Sequence, residues 1–245
     1  MTRRRAIFAG LTSAGALLLS SCVKKAPPTY GSILRMGDDL TYMAQRGLLS
    51  QRALAMEYQK SEITSFPVTD IGDPADPASK NAYSKEYEEL QRNNFKDWTL
   101  TVDGCVSKPG KYTMGELKML GERTQITRHT CEEGWSAIAE WTGVPLSAVL
   151  KDAGILPVAR YVSIYGFDKY AESFDMLDAF HPQTILAHTM NGETIPHRNG
   201  APLRLRVETQ IGYKNVKYLQ RIVVTDKFED PNQDIKGGWS WYTGI

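Results

Sequence analysis

Thr184-Ile185-Leu186-Ala187-His188-Thr189-Met190-Asn191-Gly192-Glu193-Thr194-Ile195 reads as two β-rich runs joined by a two-residue turn. Asn-Gly is a strong hairpin signal, because both central residues of a type I′ turn need positive φ. The pairing it predicts is antiparallel. Downstream, Leu203 to Val207 and Val216 to Thr225 are further β-rich runs. Upstream, Tyr161 to Tyr165 forms another, and Trp98, Leu100 and Val102 alternate with Thr99, Thr101 and Asp103, the period of a half-buried strand ending in an Asp103-Gly104 turn. The helices are short. Thr113-Met114-Gly115-Glu116 is a capping box that starts a helix running to about Leu120, and Leu146, Val149 and Leu150 share one helical face with Gly154 as its stop. These elements predict an α+β domain with a mixed, mainly antiparallel sheet core and few long helices. No Rossmann or phosphate-loop glycine pattern is present.

Working toward the amino terminus, Arg3, Arg4 and Arg5 precede an apolar stretch from Ala6 to Leu19, which is the order of an export signal. Arg4-Arg5-Ala6-Ile7-Phe8 fits the twin-arginine address, the route for proteins already folded. Leu19-Ser20-Ser21-Cys22 resembles a lipoprotein processing site, with Cys22 as the acylated residue; ordinary cleavage nearby, discarding Cys22, is the alternative. The predicted organisation is a signal over 1–21, a lipid-anchored tether with a helical segment over 22–62, and a catalytic domain over 63–245. Within the second part Ala26-Pro27-Pro28 is a spacer, and Leu40, Met43, Ala44, Leu48 and Leu54 recur at helical spacing, predicting a helix from Asp38 to Met56 that packs its apolar face on the domain. Pro67, Pro74 and Pro77 make Ile63 to Ser79 an ordered loop.

With 29 Lys and Arg against 28 Asp and Glu, the net charge of +1 gives no electrostatic footprint for nucleic acid or an anionic membrane. Three cysteines, one of them Cys22, leave Cys105 and Cys131, too few for a disulfide-stapled scaffold.

The chemistry gathers in two segments. Arg128-His129-Thr130-Cys131-Glu132-Glu133-Gly134-Trp135-Ser136 follows a strand expected near Gln125 to Arg128 and is expected to precede a helix. Arg128 and His129 would lower the Cys131 pKa and make a thiolate able to bind a soft metal. An inert buried thiol, or half of a disulfide with Cys105, is the competing reading. The second segment is Asn199-Gly200-Ala201-Pro202-Leu203-Arg204 with Ile211-Gly212-Tyr213-Lys214. Arg204 offers a bidentate fork and Lys214 a point charge to phosphate, while Gly200 and Gly212 let backbone amides approach. Cations near strands and glycine turns also occur as an ordinary solvated face.

Taken together, Cys131-x-x-Gly134-Trp135, Glu140-Trp141-x-Gly143-x-Pro145-Leu146, His181-Pro182, Asn199-Gly200-Ala201-Pro202-x-Arg204 and Gly212-Tyr213-Lys214 resemble the sulfite oxidase superfamily. The likeness runs from about Ile63 to Asp226 and is nearest to the single-domain bacterial molybdopterin oxidoreductases, methionine sulfoxide reductases among them. The resemblance implies a molybdenum-pterin cofactor with Cys131 as the protein's metal ligand and Glu133 beside the metal. Asn199, Arg204, Gly212, Tyr213 and Lys214 would hold the pterin and its phosphate. An amino-terminal cofactor loop would lie around Ser65 to Asp70. It further implies oxygen-atom transfer on a small S- or N-oxide substrate, electrons exchanged with a separate redox protein such as a cytochrome or a quinone-linked membrane subunit, a monomer, and a site on the periplasmic side of the membrane. Sulfite oxidation is the alternative reaction, and a non-catalytic lipid-anchored binding protein with a Cys105–Cys131 bridge is the alternative class. His181 and His188 read as structural, His197 lies near the pterin loop, and Trp239, Trp241 and Tyr242 are expected to pack the carboxy-terminal segment onto the domain, lining of the substrate funnel being the alternative.

Overall fold

The structure, a computed structural model, describes residues 30–50, 53–69, 72–232 and 239–245, with side chains from Met36 onward. The export signal, Cys22 and the proline spacer lie outside the described residues, as does Asp70 of the expected cofactor loop. The chain divides at Gly37 into two units. In the first, the described residues are the start of helix α1 (Tyr30–Leu48); the second, from Asp38 to Ile245, carries every other described element.

Two five-stranded sheets build that second unit. The first has the order β2 (Gly110–Thr113), β1 (Thr99–Gly104), β10 (Leu219–Thr225), β5 (Tyr161–Gly166), β6 (Ala171–Asp175). Its β1–β10 pair, with Val102 opposite Ile222, is parallel, and its other pairs are antiparallel. The second sheet runs β3 (Arg123–Thr130), β4 (Ser136–Pro145), β7 (Ile185–Met190), β8 (Glu193–Thr194), with β9 (Arg204–Arg206) also on β7, and is antiparallel throughout. The mixed, mainly antiparallel α+β architecture predicted above is therefore present, divided between two sheets.

The hairpin forms as its sequence dictates: Met190 pairs Glu193, and Asn191 and Gly192 take φ of 52° and 82°. Thr113 caps helix α3 (Met114–Met119) by accepting from the Glu116 amide, while the Glu116 carboxylate accepts from the Thr113 amide. Helix α4 (Leu146–Ala153) buries Leu146, Val149 and Leu150 and stops at Gly154, whose φ of 70° is left-handed. The remaining helices, α2 (Lys85–Arg92) and α5 (Met176–Ala179), are short. The main core joins Leu100, Val102, Ile164, Ile222 and Val224 of the first sheet to α4 and to Leu186 and Leu205 of the second. Strand β7 is buried on both faces, because its alternate residues Ile185 and Ala187 enter a separate cluster with Ala139, Trp141 and Phe66.

Two expectations fail for identifiable reasons. The segment after Cys131 is strand β4, not a helix: it pairs with the whole of β3, from Ser136 opposite Thr130 to Gly143 opposite Arg123, and that pairing overrides local helix propensity. Helix α1 stops at Leu48, so Leu54 lies beyond it, and the apolar positions face outward, Leu40, Met43 and Leu48 being 47%, 53% and 84% exposed. The helix docks instead through its polar face. Tyr42 donates to Asp175, Arg46 pairs with Asp175 and Asp178 at 3.0 and 2.8 Å, and the Tyr42 ring stacks near Trp241 and Tyr242. Burial and the Asp175 carboxylate push the Tyr42 hydroxyl up to about 12, so it stays a donor at every physiological pH.

Gly143 marks the register shift between β4 and β7, where the strands approach closely. A Cβ there would lie 2.2 Å from the Leu186 carbonyl oxygen and 2.5 Å from Ala187 Cα, both backbone atoms. Gly143→Ala is therefore expected to destabilise the fold by about 1–3 kcal/mol, read as a lower urea midpoint at unchanged m-value.

Candidate active site

Cys131 sits where the β3–β4 hairpin turns. Its amide donates to the Trp135 carbonyl at 2.9 Å, the Gly134 amide donates back to the Cys131 carbonyl at 3.1 Å, and Gly134 takes a φ of 90°. This tight loop folds Glu132 and Glu133 back over the sulfur, with Oε2 atoms 3.5 and 3.9 Å from Sγ. The Trp135 indole donates to Glu133 at 3.1 Å. Cys131 opens onto a cavity of about 310 Å³. Phe66 to Thr69, from the proline-rich loop, line one side, and Arg198, Asn199 and Arg204 another. Gly212, Tyr213, Asn215 and Lys217 form a third wall, with Asp168 and Trp239 also at the cavity.

The expected thiolate activation by neighbouring cations is absent. Strand alternation sends Arg128 to the opposite face, where its guanidinium lies 5.1 Å from the Tyr58 ring centroid. His129 does face the cavity, but Arg206 donates to its Nδ1 at 2.7 Å, so that nitrogen must be unprotonated and the ring proton sits on Nε2. Burial, then Arg206, holds His129 neutral with its pKa lowered to about 2. Burial first, and then the two carboxylates, push the Cys131 thiol up to about 11. Cys105 and Cys131 are both free thiols, and Cys105 packs against the main core, so the bridge required by the non-catalytic alternative is not formed.

On the cationic wall, β9 delivers Arg204, which is 3% exposed. One of its terminal nitrogens donates to the Asn199 carbonyl at 2.7 Å, and its Cζ lies 5.0 Å from the Trp141 ring centroid. Its Nε is buried with no hydrogen-bond partner. Burial and Arg206 lower the Arg204 pKa to about 9, which still leaves the cation intact at neutral pH. Gly212 lies against the Cys131 loop, since a Cβ there would come within 2.8 Å of His129 Nε2 and 3.1 Å of Cys131 Cα. Asn199, Arg204, Gly212 and Tyr213 thus share one cavity with Cys131 and Glu133. Lys214 does not. It is 1% exposed, forms a buried ion pair with Glu172, and points its ammonium over Phe174, away from the cavity lining. The lysine that does line the cavity is Lys217, whose ammonium donates to the carbonyls of Thr69 and Arg198 at 2.8 and 3.2 Å.

The family of oxidoreductase molybdopterin-binding domains matches residues 87–233 by sequence, more than half of the chain. The chain belongs to this family. Among curated relatives of this molybdopterin oxidoreductase, "Putative protein-methionine-sulfoxide reductase subunit YedZ1" of Azospira oryzae is 34% identical over 99% of this chain and 87% of its own length. The protein-methionine-sulfoxide reductase catalytic subunit MsrP of Pseudomonas syringae is 35% identical over 63% of this chain and 48% of its own, so the match spans about half of that relative. Among solved structures, the sulfane dehydrogenase SoxCD of Paracoccus pantotrophus superposes with a TM-score of 0.52 at 28% identity, over 54% of this chain and 39% of that one. The protein is an oxidoreductase of the sulfite oxidase superfamily, and its cofactor is molybdenum carried by molybdopterin. The residues present fit that group: an unpartnered buried guanidinium nitrogen suits an anion, Gly212 lets its turn pack directly against the Cys131 loop so that both line one cavity, and one thiol suits a soft metal.

The loop expected around Ser65 to Asp70 does supply Phe66 to Thr69 to the cavity, whereas sequence reading missed His129 as a neutral donor, Lys217 as the cavity lysine and Trp239 as an aromatic wall. Trp239 was expected to pack the carboxy-terminal segment, and it does stack on Tyr213 at 5.1 Å, but it also lines the cavity. The alternation of β3 was the available signal for His129, since it places His129 and Cys131 on one face and Arg128 on the other. The other two depend on tertiary contacts.

Because the thiol titrates high, its thiolate fraction near neutrality is small. In cofactor-free protein, Cys131 is expected to alkylate with iodoacetamide at pH 7.5 at least about tenfold more slowly than a free peptide cysteine, and to accelerate as pH rises toward 11. Peptide mass spectrometry resolves it from Cys105.

Proposed function

We propose that this molybdopterin oxidoreductase reduces small sulfoxides of the methionine sulfoxide type by oxygen-atom transfer, drawing electrons from a separate redox protein. The observation that carries the reading is the meeting, in one cavity, of a single buried thiol and a buried guanidinium whose Nε has no partner. When bound, the cofactor would supply a metal able to take an oxygen atom while giving up two electrons, or the reverse. The relatives' names favour sulfoxide reduction over sulfite oxidation.

The chain's own residues have distinct parts. Cys131 would hold the metal through its sulfur, losing the thiol proton as it does so. Arg204 would meet the phosphate with its buried fork, helped by Lys217; Lys214 would act from behind, its ion pair with Glu172 fixing the turn that presents the Gly212 and Tyr213 backbone. Asn199 would hold the pterin edge while its carbonyl orients Arg204. His129, a neutral donor through Nε2, would hydrogen-bond the cofactor beside Gly212. Glu133, held by the Trp135 indole, would give or take a proton beside the sulfur. Phe66, Trp135 and Trp239 would shield the reacting centre from water.

The remaining parts of the proposal rest on the sequence. Export by the twin-arginine route, acylation at Cys22, a periplasmic site and action as a monomer all follow from the amino-terminal pattern and the family resemblance. The word "subunit" in the YedZ1 relative's name is in keeping with an external electron partner.

Holoenzyme is expected to oxidise reduced viologen when given a sulfoxide. Turnover of sulfite with ferricyanide, without any sulfoxide reduction, would replace this reading by a sulfite dehydrogenase. Loss of outer partners of a metal ligand costs about 10–100-fold, so Cys131→Ser, which removes the ligand sulfur itself, is expected to lower turnover by at least about a hundredfold.

A further inference from the structure

We infer that Glu132 and Glu133 act as a charge filter at the mouth of the cavity, so that the enzyme selects sulfoxides carried on cationic or neutral segments and turns away anionic substrates. This rests on the sulfoxide reading above and narrows its substrate class.

The filter follows from how charge is divided around the cavity. The hairpin loop at Gly134 brings both carboxylates to within 3.5 and 3.9 Å of the Cys131 sulfur, though both side chains belong to exposed residues that could have extended into water. Glu133 is pinned there by the Trp135 indole. On strand β3 and its hairpin loop the two candidate cations do not answer them: Arg128 lies over Tyr58 and His129 is neutral, as its bond from Arg206 requires. A third carboxylate, Asp168, also lines the cavity.

The cations stand on the opposite wall and are engaged there. Arg204 donates to Asn199 and Lys217 to Thr69 and Arg198, and the anion that these groups await is the cofactor's own phosphate. With that phosphate in place Arg204 and Lys217 would be paired, Arg198 remaining on their wall, and a substrate reaching the sulfur would meet the two carboxylates held 3.5 and 3.9 Å from it. Two like charges within a Debye length, about 8 Å at physiological salt, repel an anion in a way that added salt screens. Because both glutamates are exposed, each is worth only about a threefold to fivefold discrimination. A side chain with Lys or Arg neighbours in an oxidised protein would gain by the same amount.

Glu132→Gln is the informative variant, since Glu133 also stands beside the metal. Two readouts separate the filter from the reaction. In cofactor-free full-length protein, iodoacetate and iodoacetamide share a leaving group and differ in charge, so the ratio of their rates at Cys131 reports the local field and cancels any change in thiol acidity. The ratio is expected to rise about threefold in Glu132→Gln, with the rise vanishing at 1 M salt, while the Cys105 rates serve as the check that the variant is folded. In holoenzyme with reduced viologen, the preference of kcat/KM for Lys-Met(O)-Lys over Glu-Met(O)-Glu peptides is expected to fall by a similar factor in the variant. An alkylation ratio unchanged by Glu132→Gln, or a peptide preference indifferent to both the variant and salt, would overturn the filter. A shifted alkylation ratio with no peptide turned over by either protein would leave the filter standing and remove the sulfoxide reading.

Discussion

The site depends on one buried guanidinium. Arg206, 1% exposed, donates to Glu208 through Nε and a terminal nitrogen at 3.0 and 2.7 Å, and through its other terminal nitrogen to His129 at 2.7 Å, while its Cζ lies 4.8 Å from the Trp141 ring centroid. Glu208 in turn accepts from Gln125 at 3.0 Å. The chain of contacts runs from β9 to β3 across β7 and β4, so the strand carrying Arg204 and the strand leading to Cys131 are held at one spacing. A charge this deeply buried is tolerable only while its partners are all present. That condition fixes the His129 tautomer, the orientation of Arg204 beside it, and the width of the gap into which the cofactor must fit.

Around that strut, the site is an assembly of loops on rigid strands. The hairpin tip carries the sulfur and two carboxylates, the turn at Gly212 brings backbone against it, and the Asn199 to Arg204 loop closes the cationic wall. His197 supports that last loop through Asp73 at 2.8 Å and through Tyr87, whose hydroxyl also donates to the Ala201 carbonyl. His181 and His188 are satisfied by Ala53 and Gln183, and by Glu122 and Thr189, which accounts for both as structural groups.

What the sequence disclosed was local, and what it withheld was direction. The Asn191-Gly192 hairpin, the Thr113 capping box and the Gly154 stop were readable because each conformation is set by neighbours in the chain. Spacing also revealed that α1 is a helix, but not that its aromatic and charged face, with partners at Asp175 and Trp241, would dock in preference to its leucines. The same gap explains the lysines. Lys214 and Lys217 lie close together in sequence, and only the packing of Lys214 on Phe174 and Glu172 tells which one is left to face the cavity. The parallel β1–β10 pair, joining Val102 to Ile222, leaves no local trace at all.

One wall of the cavity comes from the far end of the described chain. Trp239 is held there by a short strap: the Tyr213 hydroxyl donates to the Ser240 carbonyl, Ser240 donates to Asp38 of α1, Tyr242 donates to Gln45, and the Thr243 amide donates to Gln210. Residues from α1 and from 239–245 must therefore both be in place before the pocket has its final outline. A chain in which either of these segments is undocked lacks the Trp239 wall, so the outline of the receptacle reports on contacts made far from the sulfur it encloses.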